Sequence, residues 1–197
     1  MRWRNWMMAA ALALPINALA QDATAPWTLD PSLLAASGNE LLQRVPDPQV
    51  DALLLTVHDA MREDAQAQVL CGLFDPQADR SLEGMNAIAA QLPPASRDRF
   101  AAAIGDALVA ALQSPPQPYD GARAMQSIKA AGVTAALLHD GFTAGFNAPA
   151  DAPDSQWQRC RSVRWLLDAM QARPAAERAA MTRLLLQQGL SKLAPDA

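Results

Sequence analysis

Three neighbouring residues are best suited to acid–base chemistry: His58, Asp59 and Glu63. Asp59 and Glu63 are four residues apart, so on a helix they share a face, as a carboxylate pair or a metal site requires. His58 lies about 100° from Asp59 and about 140° from Glu63 on an ideal helix, so the three side chains do not converge. They are weak catalytic candidates, and a solvated helix face is the simpler interpretation.

The other histidine and the oxygen-rich segment fit structural roles. His139 precedes Gly141 in "LLHDGF", where a helix that ends in a left-handed glycine explains both residues. Residues 75–83, "DPQADRSLE", supply carboxylates, but their spacing does not follow an EF-hand loop. The sequence also lacks the His-Glu-x-x-His zinc motif, a nucleophile elbow, a P-loop and a dinucleotide fingerprint. We therefore expect no metal and no cofactor, and a protein that is not an enzyme.

The chain has two cysteines, Cys71 and Cys160. A redox motif would place two cysteines two residues apart, and a thiolate zinc site would need more sulfur or nearby histidine. In an exported protein an isolated pair is best explained as one disulfide. A closed loop of 89 residues is worth about 4–5 kcal/mol in the chain-entropy model.

The first twenty residues have the pattern of a secretory signal peptide. Arg2 and Arg4 form a basic n-region, an apolar stretch follows, and Ala18-Leu19-Ala20 gives the small-x-small pattern of a cleavage site. The apolar stretch is shorter than the roughly 20 residues that a membrane-spanning helix needs. We expect cleavage before Gln21 and a periplasmic or secreted protein with no membrane span.

The charge of the chain is acidic and uneven. The whole sequence has a net charge of −4, and loss of the two signal-peptide arginines would leave −6. Such a protein is poorly suited to bind nucleic acid or an anionic membrane surface. From residue 155 onward the net charge is +4, whereas residues 21–154 carry −10. We expect the basic C-terminal helices to dock on the acidic remainder of the same chain.

Proline-punctuated helical segments fill the mature sequence. Asp-Pro pairs at residues 30–31 and 47–48 predict helix starts with the aspartate as N-cap, and Ser96 predicts another cap. The clearest helical stripe consists of Val50, Leu53, Leu54, Val57 and Met61. A second stripe consists of Phe100, Ile104, Ala107, Leu108 and Ala111. Because no segment alternates like a strand, we predict an all-α fold: a single domain over 21–197, with seven or eight bundled helices after the signal peptide at 1–20.

One helical segment, "QWQRCRSVRW" at residues 156–165, provides a candidate interaction surface. Arg161 and Trp165 are four residues apart and can form a cation–π pair on a helix flank. The same two residues, together with Arg164, could instead form a docking patch for an acidic partner, because Trp and Arg most often anchor interfaces.

These observations leave three classes of function open. We favour an exported, non-catalytic helical protein that binds another protein, such as an inhibitor, an immunity-type protein or an assembly factor. The alternative is a helical carrier of an apolar small molecule, in which Phe142 and Phe146 of "GFTAGFNAPA" form the lip of a pocket rather than simply folding a loop onto the core. A hydrolase that uses His58 and nearby carboxylates is the third class.

Intact mass spectrometry of the protein purified from its exported fraction tests signal-peptide cleavage and the disulfide together. The expected mass is that of the chain from Gln21, less two hydrogen atoms, because signal cleavage and one disulfide each change the mass by a known amount. A mass that includes residues 1–20 would contradict cleavage, and a mass heavier by two hydrogens would contradict the disulfide.

Overall fold

The computed structural model describes residues 31–75, 77–79, 81–149, 152 and 154–193. Within these residues the chain forms nine α-helices and a 3-10 turn, with no β-strand, so the all-α class is confirmed. The helices outnumber the seven or eight predicted. The predicted signal peptide and the cap at residue 30 lie outside the described residues. The helices are α1 (Pro31–Arg44), α2 (Asp47–Arg62), α3 (Asp64–Cys71), α4 (Leu82–Ala90), α5 (Pro94–Gln113), α6 (Gly121–Leu138), α7 (Phe142–Asn147), α8 (Ser155–Gln171) and α9 (Ala175–Leu193).

The helix α2 occupies the centre of the packing. It contacts α3, α5, α8 and α9, and α9 in turn contacts α1 and α6. One buried cluster, which includes Met61 and Met170, joins α2 to α6, α8 and α9. A second cluster, which includes Val50 and Ala111, joins α2 to α5 and α9. The two clusters therefore meet along α2 and α9.

The predicted stripe on α2 is confirmed in its main positions. Three of its residues are buried: Val50, Leu54 and Met61. Val57 lies at the rim, with 36% of its surface exposed. The buried face extends instead to two polar residues, Asp51 and His58. Burial of such groups is favourable only when their hydrogen bonds are satisfied, and both have partners on α8 or α9.

The stripe predicted on α5 is only partly buried. Ala107 and Ala111 face the core, whereas Ile104 and Leu108 are about half exposed. The separation of two packed helices is set by the side chains at their contact. Because small alanines lie at this contact, α5 approaches its neighbours closely and the bulkier residues remain beside it.

Two predicted N-caps are placed differently in the structure. The helix α2 begins at Asp47 itself, so this aspartate is not the cap; its Oδ1 accepts a hydrogen bond from Arg183 at 3.0 Å instead. The helix α5 begins at Pro94, two residues before Ser96. Ser96 is buried within the first turn rather than at its start. In both cases a proline in the first turn fixes the helical backbone without a side-chain cap.

The helix α7 was not predicted, because its six residues are too few to show an apolar period. Gly141 adopts φ +85°, a left-handed conformation that glycine tolerates, and the chain turns there into α7. A Cβ at Gly145 would collide with the Gln158 carbonyl and the Ser162 hydroxyl, so α7 lies directly against α8. The hydroxyl of Ser162 donates to the carbonyl of Phe142 at 2.7 Å.

A buried arginine joins α1, α2 and α9. Arg183 on α9 is only 1% exposed. Its guanidinium donates to the carbonyls of Leu42 and Val45 at the end of α1, the second at 2.7 Å, and to Asp47 at the start of α2. The last carbonyls of a helix have no partner within that helix. Arg183 therefore caps α1 from outside and fixes the α1–α2 turn on α9.

A second arginine of α9, Arg178, binds the N-terminal half of α2. Arg178 donates from Nε and Nη2 to the two carboxylate oxygens of Asp51, at 2.7 and 2.6 Å. This paired hydrogen bond raises the pKa of Arg178, against the opposing effect of burial. With the Arg183–Asp47 pair, it confirms that the basic C-terminal helices dock on acidic residues of the same chain.

We expect Arg183→Met to lower the free energy of unfolding by about 2–4 kcal/mol. Methionine retains the apolar stem, but the two carbonyls and Asp47 lose their donor inside the protein. Chemical denaturation followed by circular dichroism measures the loss. Arg97→Met, at an exposed position of α5, is the matched control and should change stability by less than about 0.5 kcal/mol. Equal losses in the two variants would contradict the role of Arg183.

Candidate functional site

The predicted disulfide forms between Cys71 and Cys160, whose Cα atoms are 5.4 Å apart. Cys71 is the last residue of α3, and Cys160 lies in the second turn of α8. Both are buried. The Gln156 amide adds a hydrogen bond from α8 to the Cys71 carbonyl at 3.0 Å. The end of α3 is thereby held against the N-terminal half of α8 by one covalent bond and one hydrogen bond.

A cleft of about 500 Å³ opens beside this disulfide, between α3 and α8. We call it the disulfide groove. Cys71 and Cys160 are part of its lining, and the polar and aromatic residues that also line it are Asp64, Gln68, Asp154, Trp157, Gln158, Arg161 and Arg164. Because the disulfide bonds α3 to α8, it limits how far the two walls of the groove can separate.

The aromatic residue in the lining of the groove is Trp157, which has 48% of its surface exposed. The sequence analysis did not select this residue. Trp157 and Arg161 are four apart, the same spacing as Arg161 and Trp165, so a helical wheel of the segment contains both pairs. Periodicity alone could not show which tryptophan faces solvent.

Trp165 has a different environment from the one its candidate role requires. Its ring stacks on His139, with ring centroids 4.7 Å apart and an interplanar angle of 4°. It is half-buried and packs against the larger core cluster. The predicted cation–π pair is present, since the Cζ of Arg161 lies 5.1 Å from the Trp165 ring centroid. The Trp165 ring therefore orients the Arg161 guanidinium that lies over it, while Trp157 lines the groove.

Arg164 connects the groove to α2 and α3. Its Nη1 lies 3.0 Å from the carboxylate of Asp64 at the start of α3. Its Nη2 donates to the carbonyl of Arg62, at the end of α2, over 3.5 Å. The Asp64 side chain is 83% exposed and that of Arg164 is 35% exposed. Among exposed groups such an ion pair contributes little to stability, at most about 1 kcal/mol.

The structure separates the three weak catalytic candidates. His58 is buried, so the solvated-face interpretation is wrong for this residue. Its Nε2 is 2.9 Å from Asp168 on α8, and its Nδ1 is 3.8 Å from Asp59. Glu63 lies at the break between α2 and α3, on the exposed surface. The His58–Asp168 contact joins two helices and was not predicted.

A smaller cleft of about 220 Å³ lies next to His58 and shares Arg164 with the disulfide groove. Its lining combines the His58 ring with arginine and aspartate side chains, and no serine or cysteine is among its residues. Within the part of the chain that the structure describes, no three His, Cys, Asp or Glu side chains are placed to hold a metal ion.

Phe142 and Phe146 do not form the lip of a described cleft. Phe142 is buried in the core, and Phe146 contacts it edge to face while remaining about half exposed. Four clefts of the described residues, including one between α2 and α5 and one near the start of α6, are each lined by at least one charged residue.

The fold and the groove define an all-helical protein with one disulfide between packed helices. No known protein family, no curated protein and no solved structure matches the chain. None of the helices in the described residues combines the length and the apolar character needed to cross a membrane.

We expect replacement of both cysteines, Cys71→Ser with Cys160→Ser, to lower the free energy of unfolding by about 2–5 kcal/mol. The loss arises because the unfolded chain is no longer constrained by the closed loop. Urea denaturation followed by tryptophan fluorescence measures it. The wild-type protein reduced with a phosphine is the matched control and should show the same loss. A loss below about 1 kcal/mol in both would contradict the stabilising role of the bond.

Proposed function

We propose that this chain is an exported, periplasmic or secreted, non-catalytic protein that acts by binding another protein through the disulfide groove. The observation that carries the proposal is the half-exposed Trp157 beside Arg161 and Arg164, in a cleft whose walls are covalently joined. An inhibitor, an immunity-type protein or an assembly factor would each need only such a surface.

The composition of the groove supports binding to a protein. Tryptophan and arginine supply a large share of the binding energy at protein interfaces, especially where they lie together in a pocket. Trp157 offers a large apolar surface with few rotatable bonds, and Arg161 is already oriented by Trp165. The disulfide reduces the ordering that binding requires, because the two helices are fixed before a partner arrives.

The surroundings of His58 support a structural role better than catalysis. A general base must reach the proton that it abstracts. The ring of His58 is buried, and its Nε2 already contacts Asp168. The apolar carrier has no specific support, because the clefts described above are lined in part by charged residues.

Export is supported by the pattern of residues 1–20 and by the cysteine pair. Disulfides persist mainly in oxidising compartments such as the periplasm or the extracellular space. The structure brings Cys71 and Cys160 together from positions 89 residues apart, which fits a stable structural bond better than a local redox motif.

Native mass spectrometry of the untagged protein, purified gently from its own exported fraction, tests the proposal. We expect a second polypeptide with the wild-type chain and at least a tenfold weaker complex with Trp157→Ala or Arg161→Ala, since each removes a central anchor. Leu112→Ala and Arg97→Ala, at exposed positions of α5, are matched controls and should retain the complex.

Two results would contradict this function. One is a complex that survives both groove substitutions as well as it survives the α5 controls. The other is a bare chain with a measurable hydrolytic activity that His58→Ala abolishes while folding is retained.

A further inference from the structure

We propose that the disulfide groove takes an acidic segment of its partner, and that Asp64 competes with this segment for Arg164. The inference rests on the proposed function, because it names the chemistry of the partner at the same groove. It adds that the ion pair between Asp64 and Arg164 lowers the affinity of the groove for this acidic segment.

The α8 wall of the groove carries two arginines, Arg161 and Arg164, and Asp154, which directly precedes α8, is the acidic residue on that side of the lining. Within Ser155–Gln171 there are three arginines and one aspartate, in a chain whose net charge is −4. Arg159 donates to the Ala148 carbonyl, outside the groove lining. The guanidinium of Arg161 lies over the Trp165 ring, and within the described residues it forms no ion pair with a carboxylate. Arg161 is therefore a fixed cation that a partner carboxylate can reach.

The partner segment must also offer an apolar side chain. Trp157 and Arg161 are one turn apart on α8, about 6 Å along the axis. A segment with a leucine or an aromatic residue next to a carboxylate can contact the Trp157 ring and the Arg161 guanidinium at once. The apolar contact supplies most of the binding energy, and the carboxylates fix the orientation.

Asp64 already occupies the position that a second partner carboxylate would take. Its Oδ1 is 3.0 Å from Nη1 of Arg164, and its side chain is 83% exposed. A pair this exposed is exchanged at little cost, because water and salt screen it. The hydrogen bond from Arg164 to the Arg62 carbonyl does not involve Asp64, so the guanidinium remains in place when Asp64 leaves.

The experiment is an NMR titration of the full exported chain with a blocked peptide, acetyl-Glu-Glu-Leu-Glu-Glu-amide, up to millimolar concentration. The signal is the indole N–H of Trp157, assigned by its loss in Trp157→Ala. We expect the peptide to shift this signal in the wild-type protein. We expect Asp64→Asn to bind roughly two- to fivefold more tightly, the factor that corresponds to an exposed ion pair. The same peptide with glutamine at every glutamate should bind at least fivefold more weakly.

Matched variants separate competition from a general change in charge or structure. Asp98→Asn removes an exposed carboxylate from α5 and should leave the affinity unchanged. Asp64→Asn in an Arg164→Ala background should give no gain, because the cation for which Asp64 competes is absent. If Asn disturbs the start of α3, as shown by thermal unfolding, Asp64→Ser repeats the test with another residue suited to a helix N-terminus.

The outcomes distinguish this inference from the proposed function. Tighter binding by Asp64→Asn alone supports competition. Equal binding by wild type and Asp64→Asn, with a shifted Trp157 signal, overturns competition and leaves the groove as a binding site. Equal shifts with the glutamine peptide overturn the acidic partner. No shift with either peptide overturns the inference as a whole. The proposed function is tested separately, by native mass spectrometry of the Trp157→Ala variant with its partner.

Discussion

The packing of the described helices depends on a guanidinium that water cannot reach. Arg183 must donate its hydrogen bonds within the protein, and its acceptors are the unpaired carbonyls at the end of α1 and the carboxylate that begins α2. All three acceptors are brought together only when α1 turns into α2 directly beside α9. A single buried cation therefore restricts three helices to one arrangement, which apolar burial alone would leave open to alternative packings.

Pairs of opposite charge also connect the helices around the candidate site. Arg164 of α8 contacts an aspartate of α3, and the two arginines of α9 contact aspartates of α2, while the one aspartate of α8 contacts His58. Along the chain these arginines become more buried: Arg164 is partly open, Arg178 is largely enclosed and Arg183 is enclosed. Groups that hold the fold and groups available to a partner thus lie on the same two helices.

Local patterns predicted the helices well, and distant contacts poorly. The helix start near the Asp-Pro pair at residues 47–48 and the buried positions of α2 follow from spacing within about one turn. The disulfide was predictable because only two cysteines exist. The partners of His58 and Arg183 lie 110 and 141 residues away, and any of several aspartates or carbonyls could have served. Which tryptophan of α8 faces solvent was decided by where α6 and α7 pack, which no local period encodes.

The disulfide also determines how the chain behaves when its backbone is cut. The bond closes a ring that contains the helices from α4 to α7 and the proline-rich linker at residues 114–118. A protease that cleaves this linker would open the ring without separating the two pieces, since Cys71 and Cys160 still connect them. The groove lies beside the disulfide, so a single cleavage in this linker leaves both of its walls attached to each other.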